Sequence, residues 1–191
     1  MLDFDWGTVG KTLLGASIGS GLGSALVQGF FSLRAERQKR ASQATYLAMR
    51  LAVLLEAFGL ACSDVAERNN LNSFVEPLLM VELPDLPPYP EDTEGWTSLD
   101  RALGMDCLLL RRHVEESEER IRADPPQSHE YLESLIGEGA RRAIEALLVS
   151  DDLRRTYKLG PRESRSRGSM ERLIQLADRD LKAPPRMGRP T

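Results

Sequence analysis

The stretch GASIGSGLGSALVQG, Gly15–Gly29, contains five glycines in fifteen residues and no charged side chain. It lies within a longer run, Thr8–Leu33, whose 26 residues include a single charge, Lys11. Each interior glycine costs about 1 kcal/mol relative to alanine in a water-exposed helix, whereas a membrane-spanning helix needs roughly 20 apolar residues. We therefore expect Thr8–Leu33 to cross a membrane as one helix, in preference to forming a buried soluble hairpin.

Small residues in this run recur at every fourth position, which is the pattern of a glycine zipper. In lipid, such spacing lets two helix backbones approach closely and pack by van der Waals contact. The predicted helix-packing face consists of two rows of small residues: Gly15, Gly19, Gly23 and Ser17, Gly21, Ala25. We expect this face to join copies of the chain in a homo-oligomer or to bind a partner membrane helix.

Two nucleotide-binding motifs and a signal peptide are poor alternatives for the N-terminal region. The stretch GTVGKT, 7–12, ends like a phosphate-binding loop, but Asp5 stands where that motif requires glycine. The glycines of the run follow GxGxG spacing, and no strand precedes them as a dinucleotide loop would need. Asp3 precedes every positive charge, whereas a secretory signal begins with a basic segment.

Basic residues follow the apolar run directly, and they form the predicted basic anchor: Arg34, Arg37, Lys39 and Arg40. The positive-inside rule places this basic side in the cytoplasm. We therefore expect an N-terminus outside, a basic juxtamembrane neck at 34–43, and the rest of the chain in the cytoplasm beneath a bacterial inner membrane. Cys62 and Cys107 belong to no CxxC pair, which favours buried thiols in a reducing compartment.

Charge is segregated along the chain. Residues 1–55 have a net charge of +3, residues 56–152 of −14 and residues 153–191 of +7. This distribution predicts an acidic helical bundle at 44–160 followed by a basic flexible tail at 161–191 that contains one short helix. Six basic residues at the end of the bundle and in the tail are candidates for binding anionic lipid or nucleic acid: Arg154, Arg155, Lys158, Arg162, Arg165 and Arg167. The alternative is that the basic tail contacts the acidic body of its own or a neighbouring chain.

A second apolar helix is predicted over residues 44–68, where leucines recur with helical spacing. Arg50 and Glu56 lie inside it, and an ionised side chain near the bilayer centre costs roughly 2.5–3.5 kcal/mol. We therefore assign this helix to the centre of the bundle and expect it to continue the first span, because no proline separates the two. Buried pairing or an exposed edge would accommodate Arg50 and Glu56.

The remaining elements are predicted from the positions of helix-breaking prolines and glycines and of residues that cap helix ends. A proline-rich connector at 83–96 should lie over the bundle and pack through Leu86, Tyr89 and Trp96. Thr97 or Ser98 should cap a helix at 99–123, and Pro125-Pro126 should open a helix at 127–159 that ends before Gly160-Pro161. A last amphipathic helix is predicted at 170–181.

The sequence predicts no enzyme, cofactor or metal. His113 and His129 are the only histidines, and neither has the second ligand that a zinc-protease or di-iron motif requires at helical spacing. No small-molecule substrate is indicated, and a nucleic-acid partner is disfavoured because no aromatic residues interleave with the basic tail.

The overall expectation is an all-α, single-pass membrane protein whose transmembrane helix continues into a cytoplasmic bundle of about four helices. Its function would be that of an interaction or scaffold protein, with membrane lipid and a second helix as partners. Two alternatives remain open: a membrane-permeabilising effector assembled from glycine-zipper helices, and a soluble helical adaptor that binds nucleic acid or anionic surfaces through its basic tail.

Overall fold

A computed structural model describes residues 21–72, 80–126, 128–161 and 167–181, with side chains for 30–71, 80–126, 128–161 and 170–178. These residues form five helices and no strand, which confirms the all-α prediction. The helices are α1 (Gly21–Asn72), α2 (Thr93–Ser98), α3 (Arg101–Ala123), α4 (His129–Tyr157) and α5 (Arg167–Leu181). The chain divides into two compact units, Met1–Gln43 and Ala44–Thr191, and we call the second the helical body.

Helix α1 is long and apolar. It runs for 52 residues from within the glycine-rich stretch to Asn72, so the predicted continuity into the 44–68 helix is confirmed from Gly21 onward. Within the described residues, Phe30–Leu71 is one stretch long and apolar enough to cross a membrane, and an 18-residue window inside it has a mean hydropathy of 1.5. Its least charged part, between residues 41 and 63, nevertheless places Leu47, Leu51 and Leu55 fully inside the helical body. That apolarity builds a protein core.

Small residues bring α1 and α4 close together in antiparallel orientation. A Cβ atom added to Gly59 would lie 2.9 Å from Leu147 Cγ and 3.3 Å from the Ala143 carbonyl oxygen. Near the other end of the crossing, a Cβ on Gly139 would lie 3.4 Å from the Cys62 carbonyl oxygen. Such close backbones maximise dispersion contact along the crossing. The sequence pattern did not predict this crossing, because glycine and alanine contribute no hydrophobic periodicity of their own.

Helix α4 supplies much of the core. Fifteen of its residues are buried, and it packs against both α3 and α5 as well as α1. Leu132, Leu135, Ile136 and Leu147 face inward as predicted, and Ile144 is partly buried. The prediction is wrong for Leu148, which is exposed, because the buried face of α4 turns toward Ala146, Val149 and Ser150.

The helix ends differ from the predicted ones by a few residues. Asp100 caps α3 by accepting hydrogen bonds from the backbone N–H of Ala102 and Leu103, at 2.9 and 3.3 Å. Thr97 and Ser98, the predicted caps, lie in α2 instead. Ser128 caps α4, so Pro125-Pro126 precede the cap rather than occupy the first turn. Helix α4 ends at Tyr157 because Lys158 adopts the left-handed conformation, with φ of 54°.

The proline-rich connector is held on the helical body at several points, as predicted. The buried Asn69 side chain donates to the Val81 carbonyl at 2.8 Å and accepts from the Val81 N–H at 2.9 Å. Leu86 is buried, and the Tyr89 hydroxyl donates to the Cys107 carbonyl at 2.6 Å. The connector ends sooner than predicted, because Asp92 caps α2 and makes Trp96 helical.

Helix α5 closes the core from the C-terminal side. Its buried residues are Leu173, Leu176 and Ala177, spaced three and four apart on one face. The helix begins three residues earlier than the predicted 170–181. Part of the basic C-terminal region is therefore packed structure.

Candidate functional site

Half of the predicted helix-packing face lies beyond the part of the chain that the structure describes. Gly15, Ser17 and Gly19 fall outside the described residues. The backbone of Gly21, Gly23 and Ala25 is helical, since α1 begins at Gly21. The pairing of these rows with another helix stays a prediction.

Three large apolar side chains stand exposed on α1 just before the basic neck. Phe30, Phe31 and Leu33 are 63, 64 and 59% exposed, and the two phenyl rings meet edge to face with centroids 6.2 Å apart. We call them the apolar collar. Large apolar side chains that are exposed together, rather than singly, are typical of a surface that contacts another protein, a ligand or a membrane.

The basic anchor follows the collar on the same helix, and its members are all exposed: Arg34, Arg37, Lys39 and Arg40. Arg40 pairs with Glu36, four residues earlier, at 2.5 Å. Both partners of this ion pair are more than half exposed, so it contributes little to stability and leaves the neck net positive.

Three of the six predicted tail cations, Arg154, Arg155 and Lys158, have side chains in the described part of the chain. Arg154 binds Glu56 within the helical body, and Arg155 pairs with Asp152 at 3.0 Å on the exterior. Lys158 is exposed at the end of α4. Arg162 and Arg165 lie outside the described residues, and Arg167 begins α5.

The partner of Glu56 lies 98 residues away in the sequence, and it accounts for a charged side chain inside an apolar helix. Arg154 donates to it twice, from Nε to Oε1 at 2.5 Å and from Nη2 to Oε2 at 3.0 Å. Ser150 adds a third hydrogen bond to Oε1 at 2.8 Å. This hydrogen bonding, more than the charge of Glu56, raises the pKa of Arg154. Arg50, by contrast, is exposed and lies over the Tyr46 ring at 5.7 Å.

A second set of buried polar contacts joins α3 to α4, and we call it the polar seam. Glu138, whose side chain is 3% exposed, accepts from Arg120 at 2.7 Å and from Arg141 at 2.6 Å. Ser117 donates to its other oxygen at 2.7 Å. The seam extends through Ser134, which donates to Asp124 at 2.6 Å, and through the pair of His113 Nδ1 and Glu145 at 2.6 Å. Each buried carboxylate is thus matched by donors, as an interior charge requires.

Both cysteine thiols lie in the core of the helical body. Cys62 and Cys107 are free and buried, as predicted. Burial, followed by the charge of Asp106, raises the pKa of Cys107 to about 12, so the thiol is neutral at physiological pH. In the described part of the chain, no three His, Cys, Asp or Glu side chains come together as a metal site would need.

An exposed apolar row on α1 within the helical body has no counterpart among the predicted sites. Its members recur at helical spacing along the outer face: Tyr46, Met49, Val53, Ala57 and Leu60. We call this row the outer stripe. The sequence shows that these residues are apolar, but it does not show which apolar face of α1 is buried and which is exposed. The folded structure distinguishes the two faces.

In comparisons with protein-family models, with curated proteins and with solved structures, the chain has no match.

Proposed function

We propose that this chain is a single-pass, membrane-anchored helical interaction protein, with its span at Thr8–Leu33 and its helical body in the cytoplasm. The observation that carries the proposal is the apolar collar standing exposed on α1 immediately before an exposed basic neck. The uncharged length of Thr8–Leu33 supports the same conclusion.

The collar and neck suit the two sides of a bilayer surface. Phe30, Phe31 and Leu33 are each more than half exposed in water, and burying such a side chain is worth about 1.5–3 kcal/mol. Cations just beyond them contribute about 1 kcal/mol each near an anionic leaflet. Both contributions favour holding α1 at the point where hydrocarbon gives way to headgroups.

Orientation and partner follow from the same residues. The positive-inside rule favours an N-terminus outside the cell and a cytoplasmic neck, as in a bacterial inner membrane. The small-residue rows favour pairing with a copy of the chain or with another membrane helix. Lipid and a second helix are therefore the proposed partners.

Membrane retention of the full chain tests the anchor. We expect the protein to stay with carbonate-washed membranes, and Phe30→Asp/Phe31→Asp to shift it toward the soluble fraction. Leu71→Asp is the matched control, because Leu71 is equally exposed at the far end of α1, and it should leave retention unchanged. Recovery of the wild-type protein in the soluble fraction without detergent would refute the proposal.

Association in the membrane tests the packing face. Gly19→Leu/Gly23→Leu should weaken self-association or partner association in a membrane reporter assay, because the added side chains separate the backbones. Ile18→Leu/Leu22→Ile, on the bulky row of the same helix, serves as the control and should have little effect. Equal loss in both variants would argue against the glycine rows as the contact.

A further inference from the structure

The last turns of α1 and the middle of α5 line a cavity of about 360 Å³. Each helix contributes three residues at positions i, i+3 and i+4, which share one face of a helix. The α1 residues are Glu67, Asn70 and Leu71, and the α5 residues are Arg172, Gln175 and Leu176. All six belong to the helical body, so the cavity does not depend on the membrane anchor.

The two walls of the cavity present the same kinds of groups in the same order, except that their charges are opposite. Each wall has a charged residue, then a carboxamide, then a leucine. Neither Glu67 nor Arg172 forms an ion pair with another residue that the structure describes. The cavity therefore offers a ligand one carboxylate and one guanidinium, and the guanidinium can hold a carboxylate through two parallel hydrogen bonds.

The remaining groups of the cavity fit a ligand with a peptide-like middle and apolar side chains. The carboxamides of Asn70 and Gln175 each carry donors and an acceptor, as a peptide group does. Leu176 is 7% exposed, whereas Leu71 is 65% exposed. An apolar ligand side chain would remove Leu71 from water, and that burial favours binding.

Size and charge restrict the class of ligand. The cavity lies near the lower end of the roughly 300–1,000 Å³ that ligand pockets occupy, which suits a ligand of few atoms. A nucleotide would bring several phosphate charges close to Glu67, where like charges repel. A simple cation or anion would use only one of the two charged walls. A molecule with an ammonium group at one end and a carboxylate at the other uses both.

We propose that this cavity binds a small zwitterion of the amino-acid type, a dipeptide with apolar side chains. The ammonium group pairs with Glu67, and the carboxylate accepts hydrogen bonds from Arg172. The peptide group bonds to the two carboxamides, and the apolar side chains contact the two leucines. Because Arg172 is exposed, solvent screens its charge, and we expect a dissociation constant on the order of a millimolar or below.

Isothermal titration calorimetry of the purified full chain tests the inference with three probes: leucyl-leucine, N-acetyl-leucyl-leucine and leucyl-leucine amide. Acetylation removes the ammonium charge, and amidation removes the carboxylate charge. Each modified probe should therefore bind about tenfold more weakly than leucyl-leucine, since each loses a hydrogen-bonded charge pair.

Two variants assign each charge to its wall. Glu67→Gln should bind leucyl-leucine and its N-acetyl derivative about equally and still discriminate against the amide, whereas Arg172→Gln should show the opposite pattern. A merely structural role for either residue would weaken all three probes alike. Both side chains are at least partly exposed, so the variants should fold, and circular dichroism checks this.

Glu119→Gln and Arg101→Gln are the matched controls, because both residues are exposed on α3 and outside the cavity. Both controls should keep the wild-type order of the three probes. Equal binding of the three probes by the wild-type chain, or no binding of leucyl-leucine up to about 10 mM, would overturn the inference. Loss of discrimination in the controls would overturn it as well, because the charges that select the ligand would then lie elsewhere.

Discussion

Arg50 and Glu56 look alike in the sequence, since both are charges inside an apolar helix, yet the structure treats them differently. Glu56 is largely buried and bound by Arg154 and Ser150, whereas Arg50 is exposed. The partner of Glu56 lies 98 residues away, so periodicity within one helix could not identify it. A partly buried carboxylate depends on its partner, because removing one member leaves an uncompensated charge.

Arg154→Met should therefore destabilise the protein by about 3 kcal/mol, since it leaves Glu56 without its bidentate donor. Arg155→Met should change the free energy of unfolding by less than about 0.5 kcal/mol, because the Arg155–Asp152 pair lies on the surface. Denaturant titration measures both. The double variant Glu56→Leu/Arg154→Met should recover part of the loss, and a double variant no better than the single one would contradict the pairing argument.

The thiol of Cys107 gives a second prediction at this scale. Burial raises its pKa to about 12, so roughly one thiol in ten thousand is ionised at about pH 8. A thiol reagent should leave Cys107 essentially unmodified in the native protein from pH 7 to 9, because only about one thiol in a thousand is ionised even at pH 9, and should modify it in guanidinium. A cysteine placed at the neighbouring exposed position, Leu108→Cys, should react at once. Fast native labelling of Cys107 would show that the core opens.

At the scale of helices, the sequence predicted that each helix exists better than it predicted where the helix ends and which other helices it packs against. Leucine periodicity located α1, α3 and α4 because their buried faces carry large side chains. Caps were misplaced because Thr97, Ser98 and Asp100 are all competent cap residues, and backbone conformation selects among them. The α1–α4 crossing was missed because Gly59 and Ala143 have little side chain and no hydrophobic signal of their own.

Two glycine substitutions should have opposite effects. Gly59→Ala should destabilise the protein by about 1–3 kcal/mol, because the new methyl group would meet Leu147 Cγ at 2.9 Å. Gly104→Ala should stabilise it by about 0.5–1 kcal/mol, because the nearest atom, Leu99 Cδ2, lies 3.8 Å away and alanine favours the helix. Thermal unfolding followed by circular dichroism measures both. A Gly59→Ala protein as stable as the wild type, or more stable, would contradict the close α1–α4 approach.

For the whole molecule, the segregation of charge along the sequence predicted an acidic helical body, but it did not predict which carboxylates pair with which cations. Several of the carboxylates between residues 56 and 152 form ion pairs within the helical body, and Glu138 with Arg120 and Arg141 is an example. Sequence patterns report the charge of a segment but not its pairing, since pairing depends on which helices meet. The candidate site was predicted in part for the same reason: the basic neck was identified from the sequence, whereas the apolar collar and outer stripe required knowledge of exposure.

The two units should differ in resistance to protease. Arg34, Arg37, Lys39 and Arg40 are exposed in the neck, whereas Arg142 is buried in α4. Brief trypsin treatment of the detergent-solubilised chain should cleave in the neck before it cleaves within α3 or α4, because local opening is easiest where few buried contacts hold the backbone. Mass spectrometry of the fragments identifies the sites. Early cleavage after Arg120 or Arg142 would indicate that the helical body is less stable than its packing implies.

The polar seam between α3 and α4 has a consequence for how this hairpin can vary. Leucines tolerate sliding past one another, but Glu138 meets its donors in only one alignment. A slip by one turn, about 5.4 Å, would strand a buried carboxylate at a cost of several kcal/mol. The α3–α4 pair should accordingly accept repacked aliphatic residues, but insertions or deletions within α3 after Ser117 or within α4 before Glu138 should destabilise it, because they rotate the paired side chains out of alignment. The polar contacts thus fix how α3 and α4 align, so a designer could transplant the two helices as a unit that specifies its own alignment.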